Sequence, residues 1–160
     1  MREDFLTRAM ELWGDTIYRV ALCRLQNTAD AEDVYQDTFL RFCQQKRTET
    51  WDDEHIKAWL LRVAINCCND LGRNRKQQAL LSLDSISDAD SGGIESGLEI
   101  WEAVSHLPIK QRTVFHLYYG EAYQTREISK ILRMSETAVR VNLNRARATL
   151  RKELSSSEKV

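Results

Sequence analysis

The chain has a single proline, Pro108, in 160 residues, and the period-two alternation of half-buried strands is scarce. Helices are the default, and their ends must come from turn-type residues rather than from proline. No apolar run approaches the ~20 residues needed to span a bilayer. The N-terminus, MREDFLTRAMELWG, is acidic and amphipathic, where a secretory leader would carry a basic stretch and then an apolar one. A cytoplasmic protein is expected. Metal chemistry also lacks its usual text: Cys23, Cys43, Cys67 and Cys68 include no CxxC, and His55, His106 and His116 do not fall at ligand spacing. No cofactor, metal or disulfide framework is expected, and the cysteines read as buried or half-buried thiols. The adjacent Cys67–Cys68 pair keeps an oxidant-sensing role open.

Positive charge is missing from one long stretch. From Gln77 to Ile109 there is no Lys or Arg, only Asp84, Asp88, Asp90, Glu95, Glu99 and Glu102. From Lys110 to Lys152, ten basic residues face three acids, Glu121, Glu127 and Glu136, a balance of +7. Residues 1–54 carry twelve acids and seven bases, a balance of -5. The overall net charge of -1 therefore hides an acidic half and a basic half. Basic segments seek phosphate, and acidic ones avoid it or bind a basic protein surface. The two halves should have different partners.

Helical periodicity places helices at about 3–25, 30–46, 55–76, 98–105, 109–119, 125–132 and 136–153. Asp30 reads as the cap of the second and Ser135 as the N-cap of the last. Between Leu80 and Gly97 the chain turns rich in Ser, Asp and Gly, the composition of a flexible linker. The expected fold is all-α: two small helical domains, 1–78 and 98–155, joined by an acidic linker over 79–97.

Two helix faces carry candidate chemistry. In 55–76, Leu60, Val63, Ala64, Cys67 and Leu71 form an apolar stripe, while Arg62, Asn66, Asn69, Arg73 and Lys76 line the opposite face. Solvated faces usually mix Glu with Lys; this one holds cations and amides, groups that bond both phosphate and base edges. Trp51 and Trp59 flank its start. Core packing accounts for Trp59; Trp51, in the polar loop RTETWDDEH, suggests a stacking platform for an unpaired base. In the last helix, Val139, Leu143, Ala146 and Leu150 face a core, and Thr137, Arg140, Val141, Asn144 and Arg145 face away. Val141 can pack on a thymine methyl, Asn144 can pair with adenine, and Arg140 or Arg145 with guanine or phosphate. Arg147, Arg151 and Lys152 read as phosphate holders. Upstream, 107–135 supplies the two shorter helices and the turn of a helix-turn-helix.

The order DAEDVYQDTFLRF, WLLRVAINCCNDLGRNR, an acidic linker, LPIKQRTVFHLYY and a helix-turn-helix resembles the extracytoplasmic-function (ECF) group of bacterial sigma-70-type sigma factors, from about Phe5 to Leu154. The resemblance implies a region 2 bundle that binds the clamp helices of core RNA polymerase and melts the -10 element, and a region 4 that reads the -35 element and touches the flap. By position it implies that Asp30, Asp33, Gln36, Asp37 and Leu40 meet the clamp. It places Trp51, Arg62, Asn66, Asn69, Asp70, Arg73, Arg75 and Lys76 at or beside the -10 strand, with Thr48–Glu54 as the loop that holds a flipped base. It assigns Thr137, Arg140, Val141, Asn144, Arg145 and Arg147 to the -35 element. The partners implied are core polymerase, promoter DNA and an anti-sigma factor, with no small-molecule substrate, no catalytic residue and no enzyme activity. Arg133 stands in the turn where the family commonly has glycine, which implies ~1 kcal/mol of strain if that residue is left-handed. The alternatives are a stand-alone helix-turn-helix regulator and a redox- or zinc-responsive adaptor using the cysteines.

Overall fold

The computed structural model describes residues 2–81 and 98–157, with side chains described over 4–73 and 99–155. It divides into two compact units, Met1–Asp90 and Ser91–Val160. Among the described residues there are helices and turns but no strand, in keeping with the all-α expectation.

The first unit holds α1 (Arg2–Leu25), α2 (Thr28–Gln44), a short 3-10 turn at Thr48–Thr50, and α3 (Asp53–Leu81), and its three α-helices pack pairwise. Ile17, Val20 and Ala21 of α1 meet Ala31, Val34, Phe39 and Phe42 of α2 and Ile56, Leu60 and Leu61 of α3 in one core. Because α3 packs on both neighbours, its buried face is broader than one stripe. Leu61, Ile65 and Cys68 are buried with Leu60, Ala64 and Cys67, whereas Val63 and Leu71 are only half-buried. Gly14 lies inside α1 because Tyr35 crowds it: a Cβ there would meet the Tyr35 hydroxyl at 3.0 Å.

Local capping moves two helix starts from where the sequence pattern puts them. Asn27, not Asp30, caps α2, its side chain accepting the Asp30 N–H at 3.0 Å, so the helix begins two residues earlier at Thr28. Asp30 instead sits in the first turn, buried. Asp52 accepts the His55 N–H at 2.8 Å and the Ile56 N–H reaches the Asp52 carbonyl, so α3 starts at Asp53 rather than 55. At its other end α3 runs to Leu81, taking in three residues that composition assigned to the linker. The rest of that linker, 82–97, lies outside the described residues.

The second unit packs α7 (Glu136–Ser157) against α4 (Leu98–Ser105), α5 (Ile109–Phe115) and α6 (Thr125–Leu132). Val139, Leu143, Ala146 and Leu150 are buried together with Val104, Val114, Leu117 and Ile128, so the apolar face expected of the last helix is the one the fold uses. One expectation needs correction: 109–119 is not a single α-helix. Regular α-geometry stops at Phe115, and His116–Gly120 forms a π-turn in which the Glu121 N–H reaches back to the His116 carbonyl at 3.1 Å. Ser135 caps α7 as expected, its hydroxyl accepting the Ala138 N–H at 3.0 Å.

Arg133, between α6 and α7, is left-handed with φ 55 and ψ 43. A Cβ-bearing residue pays for that conformation, and glycine does not, although glycine also loosens the unfolded chain. Arg133→Gly should therefore raise the stability of the second unit by about 0.5–1 kcal/mol. A urea midpoint that stays put or falls would show that the turn carries no net strain.

Candidate nucleic-acid interface

On α7, Thr137, Arg140, Val141, Asn144 and Arg145 are all exposed, and Val141 stands among them as an apolar side chain 39% exposed. Glu136 ties this face to α6: it accepts the Thr125 hydroxyl at 3.2 Å and the Arg140 guanidinium at 2.9 Å. A carboxylate that aims an arginine leaves its remaining donors pointing outward.

Two arginines of the basic segment do work that composition does not reveal. Arg112 is buried, and its Nη1 donates to the Leu107 carbonyl at 3.0 Å and the Ser105 carbonyl at 3.4 Å, satisfying backbone at the end of α4. It is a structural cation, so the +7 balance overstates what a phosphate meets. Arg147 is half-buried rather than splayed toward solvent. Its Nε donates to the Tyr119 hydroxyl at 2.8 Å and its Nη1 to the Asn144 Oδ1 at 3.1 Å, with the guanidinium carbon 5.5 Å from the centres of both the Tyr118 and Tyr119 rings. Tyr118 and Tyr119 were not singled out from sequence, where they read as the end of an ordinary helix; both lie in the π-turn.

On α3, Asn66, Asn69 and Arg73 are exposed and Arg62 is half-buried. This face is less purely cationic than its text suggests. Arg73 pairs with the exposed Asp70 at 2.5 Å, and the Asn69 Oδ1 accepts from Arg24 of α1 at 2.6 Å. Arg75 and Lys76 lie on α3 but outside the described side chains. Trp51 is half-buried and stacks on His55 with ring centres 4.2 Å apart and planes 13° from parallel. It also tilts against Trp59, which in turn meets Phe42. Packing therefore accounts for Trp51 as well as Trp59, and at least one face of its ring is already covered.

On α2, Asp33, Gln36 and Leu40 are exposed at spacings of three and four, a single stripe that ends on a leucine 58% exposed. Asp30 is buried and Asp37 half-buried, so these two do not share that open stripe. The Asp37 carboxylate accepts the Cys67 thiol at 3.2 Å and pairs with Arg41 at 3.3 Å.

Cys67 and Cys68 are buried, whereas Cys43 is exposed. Burial, reinforced by the hydrogen bond to Asp37, pushes the Cys67 thiol up to about 11, and burial pushes Cys68 up to about 12. Both should therefore resist a thiol-specific alkylating reagent at about pH 8 while the exposed Cys43 reacts. Unfolding returns both thiols toward their ordinary value of 9.0, so above about pH 9 the unfolded chain releases protons first and stability falls as pH rises. Rapid labelling of Cys67 or Cys68 in the native protein would contradict this. Among the described residues no group of His, Cys, Asp and Glu is placed to hold a metal ion, and no helix is long and apolar enough to cross a membrane.

Two helical units, one ending in a capped helix-turn-helix with an outward face of arginine, amide and threonine, define a DNA-binding transcription protein. Comparison with known proteins narrows the class. Residues 10–78 match sigma-70 region 2 and residues 97–150 match sigma-70 region 4. The chain is 30% identical over 148 residues to the ECF RNA polymerase sigma factor SigM of Bacillus subtilis, covering 88% of this chain and 90% of that protein. It is 29% identical to the probable RNA polymerase sigma factor RfaY of Xanthomonas campestris pv. campestris, again over 88% of this chain but only 38% of RfaY. In fold it is similar to the sigma factor RpoE solved in complex with the anti-sigma factor NepR from Bartonella quintana, with a TM-score of 0.79 at 19% identity, covering 96% of this chain and 98% of that one. The chain belongs to the ECF sigma factors of RNA polymerase, the proteins that direct core polymerase to promoters and start transcription. The stand-alone regulator is not favoured, because a region 2 match over 10–78 has no place in it.

Proposed function

We propose a division of labour in which residues 1–78 bind core polymerase and open the -10 element, 98–155 read the -35 element, and 79–97 join them. The observation that carries it is the separation of two unlike exposed faces. One is the acidic-to-apolar stripe Asp33, Gln36, Leu40 on α2, and the other is the arginine and amide face of α7. An acidic stripe suits a basic protein surface, and the α7 face suits a base edge and its phosphates. Asp37 joins the polymerase contact at its margin, while Asp30 is buried in the first turn of α2. Asn66, Asn69, Arg62 and Arg73, with Arg75 and Lys76 further along α3, follow the opened strand, and Trp51 backs the loop that receives a flipped base. Flipping costs a few kcal/mol, which capture in that loop must offset. Thr137, Arg140, Val141, Asn144 and Arg145 face the -35 bases and backbone, with Arg147 behind them.

The protein does this by binding alone, without catalysis, cofactor or small-molecule substrate, and it acts in the cytoplasm where core polymerase works. An anti-sigma factor is the expected negative partner; the structurally similar RpoE, bound to NepR, supports that expectation. Run-off transcription with purified core polymerase on the region upstream of the chain's own coding sequence tests the proposal. A discrete transcript that requires the protein supports it. Failure to bind core polymerase in a pull-down would sink it and return the stand-alone regulator.

A further inference from the structure

A ladder of aromatic rings runs from the core of the first unit out to the start of α3. Phe42 is buried, Trp59 and Trp51 are half-buried, and His55 is exposed. The inner contacts are tilted, Phe42 on Trp59 at 56° and Trp59 on Trp51 at 52°, each pair with centres 5.9 Å apart. The outermost contact differs: His55 lies on Trp51 with planes 13° from parallel and centres 4.2 Å apart. A parallel stack covers one face of a ring and turns the opposite face straight outward. Among the described residues Trp51 is the only ring that meets His55, so that outward face of the imidazole is left to solvent. The backbone beneath it is tied down. Asp52 accepts the His55 N–H at 2.8 Å, and Arg8 of α1 donates to both Asp53 oxygens, at 3.1 and 3.2 Å. The neighbouring carboxylates of Asp52, Asp53 and Glu54 would repel a phosphate, whereas an uncharged base held out from its backbone meets no such penalty.

We propose that the unpaired -10 base stacks on the outer face of His55, with Trp51 backing the imidazole rather than touching the base. The inference rests on residues 1–78 opening the -10 element, and it names the side chain that the captured base meets. Histidine is among the residues on which unpaired bases stack, and every base has a flat π-face to offer. His55 therefore contributes affinity for the opened strand but little choice among bases.

The test uses holoenzyme assembled from core polymerase and the full-length chain. Its ligand is a single-stranded oligonucleotide of the non-template -10 element, intact or made abasic at each position in turn. With wild type, one abasic position should lower affinity by roughly five- to a hundredfold, the range of one base stacked on an aromatic ring. His55→Ala should weaken the intact strand by a similar factor and have no further effect on the strand abasic at that position. The side chain is exposed and its helix cap uses the backbone N–H, so the variant should fold. His55→Phe keeps a flat ring and should recover most of the affinity. Intact-strand affinity that His55→Ala leaves unchanged or raises would overturn the proposal, since the base would then stack elsewhere or on a Trp51 face that His55 shields. Equal weakening of intact and abasic strands would overturn it too, as would a His55→Phe variant no better than His55→Ala. If no abasic position weakened wild-type binding, base capture by this unit would fail, and the role of His55 with it.

Discussion

Arg140→Ala should leave binding to core polymerase at the wild-type level and weaken recognition of the -35 element by roughly ten- to a hundredfold, the range of one good base or phosphate contact. Arg140 is exposed, aimed by Glu136 one turn earlier, and flanked on its face by Val141 and Asn144. Its removal deletes no core contact, so the fold should persist. The mirror experiment is Asp33→Lys, which reverses charge on the exposed α2 stripe. Against a basic partner a like charge costs several kcal/mol, so core binding should drop by roughly tenfold or more while duplex -35 binding by the free protein is spared. Competition binding to core polymerase and electrophoretic shifts on a -35 duplex separate the two effects. If both variants lost core binding equally, the division between the units would be wrong.

Arg112→Ala should cost the second unit about 3 kcal/mol, read as a fall of several degrees in its thermal midpoint. The buried guanidinium donates to the carbonyls of Ser105 and Leu107, and nothing in alanine replaces it. Charged hydrogen bonds contribute about 1.5–3 kcal/mol, and carbonyls stranded without a partner add to the loss. Arg112→Lys should recover only part, since one ammonium cannot reproduce the planar fork. Weakened DNA binding by Arg112→Ala would then follow from unfolding and disappear when corrected for the folded fraction. A variant as stable as wild type would show that water serves those carbonyls equally well. Composition alone would have assigned this arginine to phosphate.

Much of the fold was legible in the chain because it is written locally. The bounds of α4 and α6, the Ser135 cap and the buried 139, 143, 146, 150 stripe all follow from spacing and capping within a few residues. The misreadings were local as well: Asn27 outcompeted Asp30 as a cap, and Asp52 started α3 early. The π-turn after Phe115 escaped because the apolar spacing of HLYYG fits a continuing helix. In the candidate faces, exposure of Asp33, Leu40, Asn66, Arg140 and Asn144 agrees with their spacing, whereas the burial of Asp30 and the packing of Trp51 do not follow from it.

The sequence by itself determined that the chain is helical, that it falls into an acidic and a basic half, and that its last helix presents arginines and amides away from an apolar stripe. These are properties of residue type and short-range period. Only the tertiary structure decided which arginines remain for a partner. Arg24 meets Asn69 across 45 positions and Arg147 meets Tyr119 across 28, pairings that no local pattern specifies. The physical reason is that a long cationic side chain takes whichever acceptor the packed helices bring within about 3 Å. Its role is therefore fixed by helix packing after its identity is fixed by sequence.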